Sequence, residues 1–226
     1  MIKYLMISFV AMPGFFYYSI LNAANNYEFT EDWFLSRIPV FEKVLTTYKN
    51  KENIQYLEIG VFEGRSLIWM LENVLTHPTT KATAIDIFRN NIVRKRCLKN
   101  LKISGVADKV KLIKNASQSA LKNLSPHSFD IIYIDGDHDA PSVLTDAILS
   151  WPLLKKGGLI IFDDYHFLEG EFQLWTGYAG GPVSPERRPK TAIDGFIDNF
   201  RNYIEIVWAG DVYVIRKKEG IYWEYQ

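Results

Sequence analysis

The sequence predicts an α/β fold, a doubly wound sheet of seven strands that is mostly parallel and has an antiparallel last strand. Three observations predict it. From about Asn53, apolar runs of strand length alternate with stretches of helical periodicity. Two of those runs end in acidic words, Asp135-Gly136-Asp137-His138 and Asp163-Asp164-Tyr165, and the chain finishes on a strand-turn-strand pattern. Alternation of this kind builds parallel strands joined by right-handed crossovers, with helices on both faces of the sheet.

Taken in order, Ile54 to Ile59 reads as the first strand. The helix after it places Leu67, Ile68, Leu71, Val74 and Leu75 on one face, and His77-Pro78 stops it. Ala82 to Ile87 is the second strand; Ile92, Val93, Cys97, Leu98 and Leu101 then mark a helix closed by Gly105. Val110 to Ile113 is a third, short strand, followed by a brief helix around Gln118 to Leu121. Phe129 to Ile134 is the fourth strand, and Leu144, Ala147, Ile148 and Trp151 repeat at helical spacing behind it. Lys155-Lys156-Gly157-Gly158 reads as a turn into the fifth strand, Leu159 to Phe162. Ile193, Phe196, Ile197 and Phe200 make a further amphipathic helix, and Tyr203 to Trp208 with Val212 to Ile215 flank Ala209-Gly210-Asp211 as a hairpin.

At 226 residues with 48% apolar or aromatic content, the chain is long enough to cover such a sheet with helices. Lys plus Arg equals Asp plus Glu at 26 each, which argues against nucleic acid as a partner. The short basic run Arg94-Lys95-Arg96 reads as solvated helix surface. The single cysteine, Cys97, excludes an intrachain disulfide and a Cys-rich zinc site, and it falls among apolar helix positions as a buried thiol.

Residues 4–24 are free of charge and mostly apolar after Lys3, as in a signal peptide or membrane anchor. Pro13-Gly14 interrupts that run, and its aromatics suit packing against the domain or within a homo-oligomer equally well. The expected organisation is therefore an apolar segment 1–25, a helical extension 26–52, and one domain over 53–226. Between about 166 and 190 lies a stretch rich in Gly, Pro and aromatics, too long for an ordinary connection and read as a lid or binding loop.

The chemistry-bearing residues fall at strand ends, where open α/β sheets bind ligands. Glu58-Ile59-Gly60-Val61-Phe62-Glu63-Gly64 follows the first strand, with Arg65-Ser66 heading the next helix. The glycines allow a sharp turn and close backbone approach to a ligand. Phe62 stands where a dinucleotide fingerprint needs its second glycine, and Glu58 would repel a pyrophosphate, so both oppose an NAD-dependent oxidoreductase. Asp86 closes the second strand, the position from which a carboxylate grips ribose hydroxyls.

With Glu58-x-Gly60-x-x-x-Gly64, Asp86, Asp135-Gly136-Asp137-His138, Gly157-Gly158 and Asp163-Asp164-Tyr165 in hand, the chain resembles the class I S-adenosylmethionine-dependent methyltransferases, and within them the group similar to macrolide sugar O-methyltransferases. The resemblance covers roughly residues 50 to 216. It implies a Rossmann-like methyltransferase fold with an antiparallel seventh strand. It also implies S-adenosyl-L-methionine as cofactor, held at Glu58, Gly60, Gly64, Ser66, Ser117 and Asp135, with Asp86 on the ribose. Residues Asn115 to Ser117 fall where the adenine is bordered, and here the common acidic residue is missing.

Asp135, Asp163 and Asp164 converge from adjacent strand ends, and three oxygen donors with open positions suit octahedral Mg2+ better than zinc. In the family that this chain resembles, such an ion positions the hydroxyls of a small-molecule acceptor. His138, three residues after Asp135, is placed to act as base, and proton removal by a positioned histidine contributes about 10²–10⁴-fold. The competing reading is structural: Asp137 and Asp139 cap the next helix, Asp163 orders a turn and His138 only packs. A non-methylating enzyme on the same scaffold would keep the cofactor loop and lose the acids or the base, and a scaffold that only binds cofactor and pairs with a partner would not need the histidine. Lys3 before the apolar run and Glu28, Glu31 and Asp32 after it would favour an exported domain, but S-adenosylmethionine is made and kept inside cells, so a cytoplasmic or cytoplasm-facing enzyme is expected, with residues 4–24 open to membrane contact.

Overall fold

The computed structural model describes residues 26–167 and 184–219. The apolar segment 4–24 and most of the expected lid therefore lie outside the described residues. Strand β1 (Gln55–Ile59) lies at the centre, pairing in parallel with β2 (Lys81–Asp86) on one side and β4 (Phe129–Ile134) on the other. Strand β3 (Val110–Lys114) continues the sheet beyond β2, and β5 (Leu154–Phe162) continues it beyond β4. The hairpin of β6 (Ile204–Trp208) and β7 (Tyr213–Lys217) closes the far side with β7 antiparallel to β5. The strand order is β3-β2-β1-β4-β5-β7-β6, seven strands with the expected antiparallel finish. Because the chain winds outward from β1 to β3 and then restarts at β4, a crevice opens between the carboxyl ends of β1 and β4.

Both faces of the sheet are covered, as near-continuous apolar strands require. Tyr56, Ala84, Tyr133, Ile161 and Val214 point toward α1 (Ile38–Val44), α2 (Arg65–Asn73) and α3 (Asn91–Ser104). Leu57, Ile132, Ile160 and Ile215 point toward α4 (Ser117–Leu121), α5 (Ala140–Ser150) and α6 (Pro189–Phe200). Cys97 is fully buried in the first layer. Among the described residues no helix is long and apolar enough to cross a membrane.

Three local expectations are corrected. In α3 the buried stripe runs through Cys97, Asn100 and Leu101, while Ile92 and Leu98 face solvent. In α5 the core residues are Ala140, Val143, Asp146, Ala147 and Ser150, and Ile148 is exposed. A short aliphatic run offers several stripes of similar hydrophobicity, and the packing partner rather than the pattern selects one. Finally, Lys155 to Gly158 is not a turn before β5 but part of it. A register shift opposite Phe129 to Ile131 and a left-handed Gly157 (φ +76°) mark a bulge there.

Candidate active site

The turn after β1 is built by an unusually close approach of two chain segments. Gly60 adopts φ +86°, its N–H donates to the Ile85 carbonyl at 2.9 Å, and a Cβ there would stand 1.8 Å from the Asp135 carbonyl oxygen. Asp135 in turn donates its N–H to the Ile59 carbonyl at 2.8 Å, so the ends of β1, β2 and β4 are laced together at this glycine. Asp86 secures the next two residues: Oδ2 accepts the N–H groups of Val61 and Phe62, both at 2.9 Å, and Oδ1 accepts that of Phe88 at 2.6 Å. Phe62 has φ +49°, and Gly64 at φ +86° begins α2.

Beneath the turn, Glu58 is fully buried, with one oxygen 2.6 Å from the Ser66 hydroxyl and the other 2.7 Å from that of Tyr56. Burial raises its pKa to about 7, against the lowering effect of the two hydroxyl donors. Glu58 and Ser66 thus contact each other directly under the turn. Glu63, also buried, accepts from the Thr30 N–H and hydroxyl and from Arg96 at 3.0 Å. Arg96, expected to be solvated with Arg94 and Lys95, instead reaches inward to this acid.

At the ends of β4 and β5 the predicted acids meet. Tyr133 donates to Asp163 and lies 3.2 Å from Asp135 Oδ2. Asp164, held at φ +56°, places Oδ2 2.7 Å from His138 Nε2 and Oδ1 2.8 Å from Arg37 Nη2. Arg37 also sets Nε 2.8 Å from Asp163 Oδ1, an ion-pair contact without hydrogen-bond angles, and Nη1 2.6 Å from Asp211 Oδ2. One ligand atom from each of Asp135, His138 and Asp164 lies within 4.8 Å of the others, and the same holds for Asp163, Asp164 and Asp211. The predicted set Asp135, Asp163 and Asp164 is thereby divided: Asp164 is shared, Asp135 faces His138, and Asp163 faces Arg37.

Burial, charge repulsion and two cationic partners together set the titration of the cluster. Burial and then the neighbouring acids Asp163, Asp164 and Glu58 push the Asp135 carboxyl well above the usual carboxylate range. Asp163 rises to about 6 through burial and Asp164, with Arg37 opposing. Burial would raise Asp164 too, but His138 and Arg37 outweigh it and its pKa falls. Burial lowers the His138 pKa, and the Asp164 hydrogen bond with the charges of Asp164, Asp163 and Asp137 reverses that and raises it. Four carboxylates with one guanidinium and one imidazole leave a deficit of positive charge, and the oxygen-rich donor set fits a hard divalent cation such as Mg2+.

One sequence assignment changes. Asp139 occupies the position before α5, yet its side chain makes no cap; it pairs with Arg187 at 2.8 and 2.9 Å, while Asp137 accepts from Ser142 at 2.9 Å. Ser117, at the start of α4, engages the buried Asp146 of α5. Sequence reasoning missed Arg37, Tyr133, Glu63 and Asp211. Tyr133 carried a signal, since it lies two residues before Asp135 on a strand and shares its face. Arg37 carried none, because its partners are far away in sequence.

Residues 57–165 match the methyltransferase domain family. An uncharacterized protein of Acanthamoeba polyphaga mimivirus is 30% identical over 132 residues, 56% of this chain and 58% of that protein. The catechol O-methyltransferase of Mycobacterium tuberculosis is 27% identical over 110 residues, 48% of this chain and 46% of that one. The chain spans about half the length of the curated relatives it matches. Among solved structures, the MycE methyltransferase of the mycinamycin biosynthetic pathway, in complex with Mg and SAH, has the same fold, with a TM-score of 0.57 at 20% identity over 92% of this chain and 57% of that one. The matched family, the strand order and the motif residues together support a class I S-adenosylmethionine-dependent methyltransferase.

Proposed function

We propose that the chain transfers a methyl group from S-adenosylmethionine to a hydroxyl of a small acceptor, with a divalent cation assisting and a sugar-containing metabolite as the favoured acceptor class. The observation that carries this reading is the meeting of Asp135, His138 and Asp164 beside the Gly60–Gly64 turn, at the switch point of the sheet. S-adenosylmethionine supplies an electrophilic methyl group and its own leaving group. The cation, when bound, holds the acceptor oxygens and lowers the pKa of the reacting hydroxyl.

The rest is done by side chains and backbone of this chain. Gly60 and Gly64 shape the loop that borders the methionine part of the cofactor, and Glu58 with Ser66 braces that loop from below. Asp86 keeps acceptor capacity for a ribose hydroxyl beyond its three backbone donors, since a carboxylate has about four lone-pair sites. Ser117 borders the adenine. Asp164 holds the proton of His138 on Nε2 and leaves Nδ1 to take the acceptor proton; the ring is further positioned by Phe167, at a centroid distance of 4.5 Å. Asp135 and Asp164, with Asp163 beside them, would hold the cation. The cell interior, where the methyl donor is made, is the fitting location. The Mg and SAH bound to MycE agree with the metal part of this reading.

Titration calorimetry with S-adenosylmethionine tests the cofactor, and absence of binding heat at millimolar concentration rejects the proposal. With an acceptor in hand, His138→Ala should lower turnover about 10²–10⁴-fold and retain cofactor affinity, whereas a loss below about tenfold would leave His138 a packing residue.

A further inference from the structure

Arg37 is the least expected member of the acid cluster. It arrives from the short 3-10 turn Leu35–Arg37 that leads into α1, and the buried Phe34, Ile38 and Phe41 on either side fix its backbone against the sheet. Its three guanidinium nitrogens address three different carboxylates, Asp163 at 2.8 Å, Asp164 at 2.8 Å and Asp211 at 2.6 Å. Asp211 is itself fixed: its carbonyl accepts the Tyr165 N–H at 2.8 Å and its Oδ1 the His166 N–H at 3.1 Å, which turns Oδ2 toward Arg37. Those same three acids are spaced closely enough to hold a metal ion.

We infer that Arg37 is a resident cation of the centre, which fills the Asp163–Asp164–Asp211 position and so limits the site to one divalent ion held by Asp135 and Asp164 beside His138. A planar guanidinium with several divergent donors can satisfy carboxylates from separate elements at once. Its charge also cannot be lost by deprotonation or exchange, as that of a bound ion can. The inference rests on the metal part of the proposed function and adds a residue that decides how many ions bind and where.

Counting bound Mn2+ by electron paramagnetic resonance on the purified full chain tests it without any acceptor. The wild-type protein should bind one ion per chain, Arg37→Gln two, and Arg37→Gln/Asp211→Asn one. Asp211→Asn alone should leave Mn2+ affinity unchanged within about threefold, because that acid serves Arg37 and not the ion. A wild-type count of two, a count of one for Arg37→Gln, or a larger loss of affinity in Asp211→Asn overturns the inference and leaves the methyltransferase reading intact. A wild-type count of zero overturns both the inference and the metal part of that reading. Should Arg37→Gln fail to fold by circular dichroism, the Asp211→Asn affinity decides alone.

Discussion

Glu58 shows how a residue of a cofactor motif can act from inside the protein. Its carboxyl is fully buried and its pKa lies near 7 rather than at the ordinary 4.5. Between those values the folded chain holds a proton that the unfolded chain has released, so the stabilising contribution is complete below about pH 4.5 and is lost as pH rises through about 7. Glu58→Gln keeps the shape and removes the titration. Urea unfolding at pH 5 and pH 8 should show the wild type losing up to about 3 kcal/mol relative to the variant; parallel pH dependences would show that Glu58 keeps its charge in the fold. Sequence spacing located this acid at the right strand end, but could not say on which side of the turn its carboxyl lies. Two hydroxyls decide that, Tyr56 on the same face of β1 and Ser66 from the first turn of α2.

At the level of elements, the glycine turn after β1 depends on contact between backbones before any ligand arrives. The sequence reading gave Gly60 to ligand approach, whereas its missing Cβ is required first by the Asp135 carbonyl. Gly60→Ala should therefore destabilise the protein by more than about 3 kcal/mol, through strain at the strand ends. Gly105→Ala is the control: at φ +73° after α3, with open space around it, it should cost only about 1–2 kcal/mol for the left-handed conformation. Equal costs in chemical denaturation would remove the special role of the β1–β4 crossing. Strands and most helices were legible because periodicity and glycine punctuation act locally. The bulge in β5 and the buried faces of α3 and α5 were not, because they answer to neighbours that the pattern does not name.

For the molecule as a whole, the winding order and the antiparallel finish followed from the alternation of elements, while the closure of the site did not. Arg37 reaches Asp164 across a sequence separation of 127, and no motif spans such a distance. Because N-terminal segment, central strands and final hairpin all contribute to one cluster, ligand binding should stabilise the chain as a unit. S-adenosylmethionine at a hundred times its Kd should add about 2.7 kcal/mol to a single unfolding transition. Two transitions, with only one shifted by ligand, would show that the segments melt apart. The pairing of β7 with β5 also has a bearing on biosynthesis. Leu159, Ile160 and Ile161 have no exposed surface, and the strand that covers their open edge is the last of the described strands to leave the ribosome. A nascent chain stalled or truncated before Tyr213 would present a flat, apolar, unpaired edge, the form in which such sheets recruit other chains. Chaperone demand and aggregation should thus peak in the interval just before this strand is completed.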